Sequence, residues 1–209
     1  MKQTLTHSQA TLRVVCLAFA LLFTSFLLRA QPGTIDPSFN PIDRGFGMGD
    51  GFYPGFSVMS LQPDGKILIA GSHFTYNGTF LPGIARLNPD GSLDPSFDPG
   101  TGIHFRNSIS SIALQPDGKI LIGGDFTSYN GTVRVGFARL NADGSLDTSF
   151  DTGSESNRVI YKLTLQPDGK IIIVGSFYSY NGTPRKAIAR LHADGSLDTG
   201  FDPDAGANN

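Results

Sequence analysis

The chain has no tryptophan, three methionines and a single cysteine in 209 residues. That cysteine, Cys16, lies in the first thirty residues, so no disulfide can form within the chain and stability has to come from packing. Glutamate is nearly missing as well: Glu155 stands alone against 17 aspartates. Glu favours helices and Asp favours turns, so this imbalance, with 26 Gly and 13 Pro, predicts many tight turns and few helices. One Glu also leaves no glutamate pair for glycoside hydrolysis. No His–Glu–His spacing and no Ser-centred elbow occurs, and His104 and His192 have no counterparts at matching positions elsewhere in the chain. Positive charge is scarce too. The net charge is −2, and −5 once residues 1–30 are set aside, with no basic stripe of the kind nucleic acid requires.

Residues 1–30 read as an address. Lys2 and Arg13 precede an apolar run from Val14 to Leu28, interrupted only by Thr24 and Ser25. A membrane crossing takes about 20 apolar residues, so the run suits a secretory signal ending at the small Ala30. A retained N-terminal anchor is the alternative. Cys16 has apolar neighbours on both sides and reads as part of the signal rather than a lipid site. No other membrane segment is expected.

What fills the remainder is a repeat. Leu61–Gly71 (LQPDGKILIAG) returns as Leu114–Gly124 (LQPDGKILIGG) and as Leu165–Gly175 (LQPDGKIIIVG). Steps of about fifty residues between copies indicate a repeat architecture. Three units follow, about 56–98, 109–151 and 160–202. Before them, residues 31–55 hold a fragment of a unit, Gly33–Pro41 (GTIDPSFNP), and a Gly-rich connection; residues 204–209 are a polar tail.

Each unit predicts four short strands. Met59 and Leu61, Ile112 and Leu114, and Leu163 and Leu165 alternate with small or polar residues, the period of a strand with one buried face. Pro-Asp-Gly then turns the chain, closed by Asp64, Asp117 or Asp168. The next run, such as Ile120-Leu121-Ile122, is apolar on both faces and belongs at the centre of a sheet. An aromatic stretch ending in Tyr-Asn-Gly-Thr leads to a third strand through Arg86, Arg139 or Arg190, and a second Asp-Gly hairpin leads to a short fourth strand carrying Leu-Asp. Four antiparallel strands per unit describe β-propeller blades, all-β, with three full repeats and a partial one. A β-sandwich of hairpins is the rival. Three blades do not close a ring, which leaves either missing blades or the assembly of two or more chains as expectations.

The strings LQPDGKI and ARLNxDGSLDxSF resemble the bacterial delta-60 repeat over about residues 33–203. That resemblance implies a propeller fold and an extracellular setting. It brings no activity and no catalytic residues.

Among candidate site residues, Tyr76, Tyr129 and Tyr180, with Phe74 and Tyr178, sit beside Asn, Ser and Thr, a composition suited to stacking sugar rings or gripping a peptide. They are the expected ligand contacts. Arg86, Arg139 and Arg190 precede Asp94, Asp147 and Asp198 by eight residues, a spacing that can place each pair side by side across a hairpin as an ion pair within the blade. Those acids lack the alternating carboxylates and terminal Glu of a calcium loop, so neither metal nor other cofactor is expected. The whole reads as a secreted or cell-surface binding module, not an enzyme, whose partner is an extracellular glycan or protein. The alternatives are a purely structural segment of a larger surface protein and a propeller hydrolase or lyase lacking part of its site.

Overall fold

The three sequence copies form three antiparallel sheets, because each apolar run finds its hydrogen-bonding partners on either side within its own copy. The computed structural model describes residues 36, 38–39, 55–104, 107–150 and 158–203. The chain divides into two compact units, Met1–Pro37 and Ser38–Asn209, and every strand among the described residues belongs to the second. The expected signal and the polar tail lie outside the described residues, and so do the Gly-rich connection except Gly55 and the fragment Gly33–Pro41 except Asp36, Ser38 and Phe39.

Repeat 1 contains β1 (Phe56–Leu61), β2 (Ile67–Gly71), β3 (Phe74–Tyr76), β4 (Thr79–Leu81) and β5 (Ile84–Leu87). Repeat 2 contains β6 (Ile109–Leu114), β7 (Ile120–Gly124), β8 (Ser128–Tyr129), β9 (Thr132–Val133) and β10 (Phe137–Leu140). Repeat 3 contains β11 (Val159–Leu165), β12 (Ile171–Ser176), β13 (Ser179–Tyr180), β14 (Thr183–Pro184) and β15 (Ile188–Leu191). The doubly apolar strand is central in each sheet: the orders are β1-β2-β5, β6-β7-β10 and β11-β12-β15. Among the described residues there is no helix.

Local chemistry sets the turns. In the first hairpin of repeat 2, the Gly118 amide donates to the Gln115 carbonyl at 3.0 Å and the Gln115 amide to the Lys119 carbonyl at 2.8 Å. The loop is thus the three residues Pro116-Asp117-Gly118, with the left-handed conformation at Gly118. Asn130 and Gly131 both have positive φ, 46° and 74°, the geometry of a two-residue primed turn. It closes an additional ribbon, β8 with β9, and the same ribbon recurs as β3–β4 and β13–β14. The fourth strand is shorter than expected. It contracts to one isolated bridge per repeat, Leu87 with Leu93, Leu140 with Leu146 and Leu191 with Leu197.

Packing between repeats makes the core. A bulge shifts the register of the first strand, between Ile109 and Ser111 in repeat 2 and between Ile160 and Lys162 in repeat 3. The extra residue lets Ile109 and Ile112 face repeat 1 together, and Ile160 and Leu163 face repeat 2. One cluster joins Leu68, Ala70 and Ile84 of repeat 1 to Ile109, Ile120, Ile122 and Tyr129 of repeat 2. A second joins Leu121 and Phe137 to Ile160, Leu163, Ile171 and Ile173 of repeat 3. The central strands β2 and β7 therefore each feed two clusters, one from each face, whereas β12 feeds one through Ile171 and Ile173.

Gly83 and Gly136 have φ of 98° and 69°, and a Cβ on Gly136 would run into the Arg158 carbonyl of the next repeat. The same position in repeat 3 is Ala187, held at φ 64°. We expect Ala187→Gly to stabilise the chain by about 0.5–1 kcal/mol by relieving left-handed strain. Gly136→Ala should destabilise it by about 2 kcal/mol or more. Urea denaturation of the two variants beside the parent checks both signs.

Candidate functional site

Strand pairing brings the repeated charges together. The Asp147 amide donates to the Arg139 carbonyl at 2.9 Å, which sets the two side chains on neighbouring backbone at the end of the sheet. Asp147 Oδ2 then accepts from Arg139 Nε at 2.8 Å and from Lys119 Nζ at 2.7 Å. Oδ1 accepts from the amide and the hydroxyl of Ser149 at 3.0 and 2.6 Å. The guanidinium lies 4.5 Å from the centre of the Phe150 ring, and its Nη1 donates to the Ala193 carbonyl of repeat 3 at 2.8 Å. Repeat 1 has the same arrangement. Asp94 takes Arg86 Nε at 2.7 Å and Lys66 Nζ at 2.8 Å, with Phe97 beneath the guanidinium and Nη1 on the Ala142 carbonyl at 2.6 Å. In repeat 3, Asp198 accepts from Arg190 Nε at 2.8 Å and pairs with Lys170 at 2.9 Å, with Phe201 stacked on the arginine.

Such a carboxylate is tied down. Burial pushes the Asp147 group up, but Lys119, both Ser149 donors and Arg139 outweigh it and hold the group well below the usual carboxylate range. Asp94 is held down in the same way, by Lys66, Ser96 and Arg86 against burial. At Asp198 the Lys170 ammonium leads, burial opposes, and Arg190 and the Gly200 amide assist, bringing the pKa to about 2. An acid so fully bonded cannot serve as a general base near neutrality, and its oxygens are spent within the blade. Asp64, Asp117 and Asp168 are spent locally, each accepting the amide of the lysine two residues on at 3.1 Å.

The aromatic candidates need correcting. Tyr76, Tyr129 and Tyr180 are buried and present no ring face to a ligand. Each hydroxyl donates to a carbonyl of its own second hairpin: Tyr76 to Gly91 at 2.6 Å, Tyr129 to Gly144 at 2.8 Å and Tyr180 to Gly195 at 2.7 Å. They are inner posts of the blade, apolar along the ring and satisfied at the tip. Phe74 is buried as well, in the cluster with Ile69, Tyr76 and Leu81. Tyr178 alone of the five is open to solvent, 80% exposed.

Several working residues escaped the sequence reading. Lys66, Lys119 and Lys170 recur within LQPDGK but sit 28 residues from their acids, too far for a hairpin argument to join them. The stacked Phe97, Phe150 and Phe201 also recur. Arg158 occurs once. It is buried, donates Nε and Nη2 to the Val135 carbonyl at 3.2 and 3.0 Å and lies 5.1 Å from the centre of the Tyr180 ring. A groove of about 500 Å³ runs between the first hairpins of repeats 1 and 2, lined by Leu61, Gln62, Pro63, Leu114, Gln115 and Pro116. Among the described residues no group of three or more His, Cys, Asp or Glu is placed to hold a metal ion.

Two outcomes follow. Because the acids titrate lower in the folded chain than in the unfolded one, where Asp is near 3.9, their stabilisation is complete above about pH 5 and lost as pH falls from about 4 toward 2. The urea midpoint should therefore be flat near neutrality and drop through that window, with a shallower drop in Asp147→Asn. Tyr129→Phe removes one buried hydrogen bond and should cost about 1 kcal/mol, whereas Tyr129→Ala should cost about 3–5 kcal/mol through the cavity it leaves. Thermal or chemical denaturation separates the two.

The match to a family model agrees with this geometry. The family model described as "Domain of unknown function (DUF5122) beta-propeller" matches at residues 62–97, 115–150 and 166–201, together just over half of the chain. Each match begins at the glutamine of the first hairpin and ends at the phenylalanine stacked on the arginine. The chain matches none of the curated proteins compared. Among solved structures it is similar to PorZ, a bacterial surface component of the type-IX secretion system of Porphyromonas gingivalis, at 12% identity and a TM-score of 0.40. That alignment covers 73% of this chain and 22% of the other, so the chain spans about a fifth of its length. With three repeats matched, each built on the same Arg–Asp–Lys cluster, the chain belongs to the DUF5122 β-propeller family.

Proposed function

We propose that this β-propeller repeat domain is a non-enzymatic binding module of the cell exterior that holds a glycan or a protein through its small ribbons. The observation that carries the reading is that three of the seven large apolar side chains exposed among the described residues lie on or beside the ribbons. Phe80 on β4 is 60% exposed, Val133 at the same position on β9 is 71% exposed, and Tyr178, just before β13, is 80% exposed. A large apolar group left in water on or beside the same ribbon in each of three repeats offers surface to a partner. The other recurrent aromatics and charges are engaged inside the blades, so the ribbons are where the repeats remain free to differ. Export is supported by the basic start and short apolar run of residues 1–30. The resemblance of the LQPDGKI and ARLNxDGSLDxSF strings to the bacterial delta-60 repeat supports the same setting.

The test is titration of the protein against a panel of defined cell-wall and surface oligosaccharides and extracellular peptides, followed by Phe80→Ser, Val133→Ser and Tyr178→Ala combined. Affinity for the ligand found should fall about tenfold or more, the equivalent of about 1.4 kcal/mol, with the melting temperature unchanged. A ligand bound equally well by the triple variant would overturn the ribbon assignment. A panel without any ligand would leave the structural-segment reading in its place.

A further inference from the structure

The ribbons of repeats 2 and 3 each carry an arginine that, unlike the arginine found in all three repeats, the blade does not use. Arg134 and Arg185 stand at the position held in repeat 1 by Leu81, which is buried in the cluster with Phe74 and Tyr76. An apolar side chain builds the ribbon there, so the fold itself has no need of a charge. Both arginines are set in the same way. The amide of Arg134 donates to the Thr127 carbonyl at 3.1 Å and that of Arg185 to the Tyr178 carbonyl at 3.0 Å, which fixes each beside the strand it returns along. Nη1 of each donates to the preceding carbonyl, of Val133 at 2.9 Å and of Pro184 at 2.8 Å, and Nε of each is buried without a hydrogen-bond partner. Arg86, Arg139 and Arg190 hold their aspartates at 2.7 or 2.8 Å. Among the described residues Arg134 has no acid within 4.0 Å, and Arg185, only 8% exposed, has just the solvent-facing Asp202 at 4.0 Å.

Burying a charge without a counter-charge is costly, and a guanidinium with free donors in a fixed fork matches a carboxylate. Building on the ribbon reading above, we infer that Arg134 and Arg185 take the carboxylates of an acidic glycan, a chain of uronic acid units laid across the ribbons of repeats 2 and 3. The surroundings favour a sugar over an acidic peptide. Tyr178, 80% exposed, lies across the ribbon from Arg185 and offers an aromatic face to a sugar ring. Thr127, Asn130 and Asn181 are exposed and suit hydroxyl groups. A uronic acid unit brings the ring, the hydroxyls and the carboxylate together. The two ribbons are neighbours, because Arg158 reaches from the Tyr180 ring of one to the carbonyl of Val135, the residue after Arg134, in the other. One sugar chain can therefore meet both arginines, and the two contacts reinforce each other.

Isothermal titration calorimetry of the full chain against galacturonic acid oligomers tests this, with the methyl esters of the same oligomers as the uncharged control. The acid form should bind about tenfold or more tighter than the ester, and the preference should fade as salt is raised. Arg134→Leu and Arg185→Leu combined should abolish the preference without lowering the melting temperature, since leucine fills the same position in repeat 1. Acid against ester on the parent decides the question of charge even where the leucine pair fails to fold. Equal binding of acid and ester, no binding of the acid oligomer, or a preference that survives both leucines would overturn the inference. A glutamate oligomer of equal charge bound as tightly as the sugar would overturn it too, in favour of a peptide. Tyr178→Ala separates this from the ribbon reading. If acid and ester bind the parent alike and both weaken in that variant, the ribbons hold a glycan that the arginines do not select. If neither the leucine pair nor Tyr178→Ala changes binding, the ribbons are not the site and both readings fall.

Discussion

The arginine of the last sheet strand is the group on which the blade and its neighbour both depend. In repeat 2 the Arg139 guanidinium uses Nε to hold Asp147, lays its face on Phe150, and extends Nη1 to a carbonyl of repeat 3. A lysine could supply the charge but not the flat ring contact or donors in several fixed directions. Withdrawing such a pair from water is costly, and the cost is offset only when the carboxylate is fully bonded. Asp147 meets that condition with four donors, two charged and two from Ser149. Closing the second hairpin and docking the next blade are thus parts of one arrangement.

The same cluster explains why the fourth strand is so short. Once Asp94 Oδ1 accepts the amide of Ser96 at 2.9 Å, the backbone bends back on itself and can no longer run alongside the third strand. Only the bridge between Leu87 and Leu93 survives. The chain then brings Phe97 under the guanidinium, and the Phe97 side chain joins the core shared with repeat 2. A longer strand would leave that phenylalanine out of reach of the arginine. Sheet pairing is surrendered for the contact between repeats.

This is also where the sequence can and cannot be read. Alternation, Asp-Gly turns and an apolar run on both faces made the first three expected strands of each unit and the central place of the second legible, since each depends on neighbours within a few residues, whereas the expected fourth strand is reduced to a bridge. The Arg–Asp spacing was legible for the same reason. The fate of the aromatics was not, because it depends on which of two adjacent positions faces the core. In repeats 2 and 3 the first position holds Phe126 and Phe177, both buried, which leaves Thr127 and Tyr178 in solvent. In repeat 1 that position holds His73, whose ring is hydrogen-bonded to the Ile103 carbonyl, and Phe74 takes the burial instead. Tyr178 and Phe74 occupy equivalent places with opposite exposure. Composition beside Asn and Ser could not separate them, and neither could it reveal that Tyr129 spends its hydroxyl on a carbonyl 15 residues away.

Repetition then constrains where any specific activity can sit. A residue used identically in every blade is committed to a contact that each blade needs, so substituting it removes a structural bond before it can create a recognition surface. Asp94, Asp147 and Asp198 are of this kind, and so are the three tyrosines bonded to Gly91, Gly144 and Gly195. The positions free to carry individuality are those at which the three copies disagree and solvent reaches the side chain, such as Phe80, Val133 and Pro184 on equivalent ribbon strands. Among the described residues such disagreement is found on the ribbons. A repeat that binds something other than its neighbour has to do so from positions of this kind.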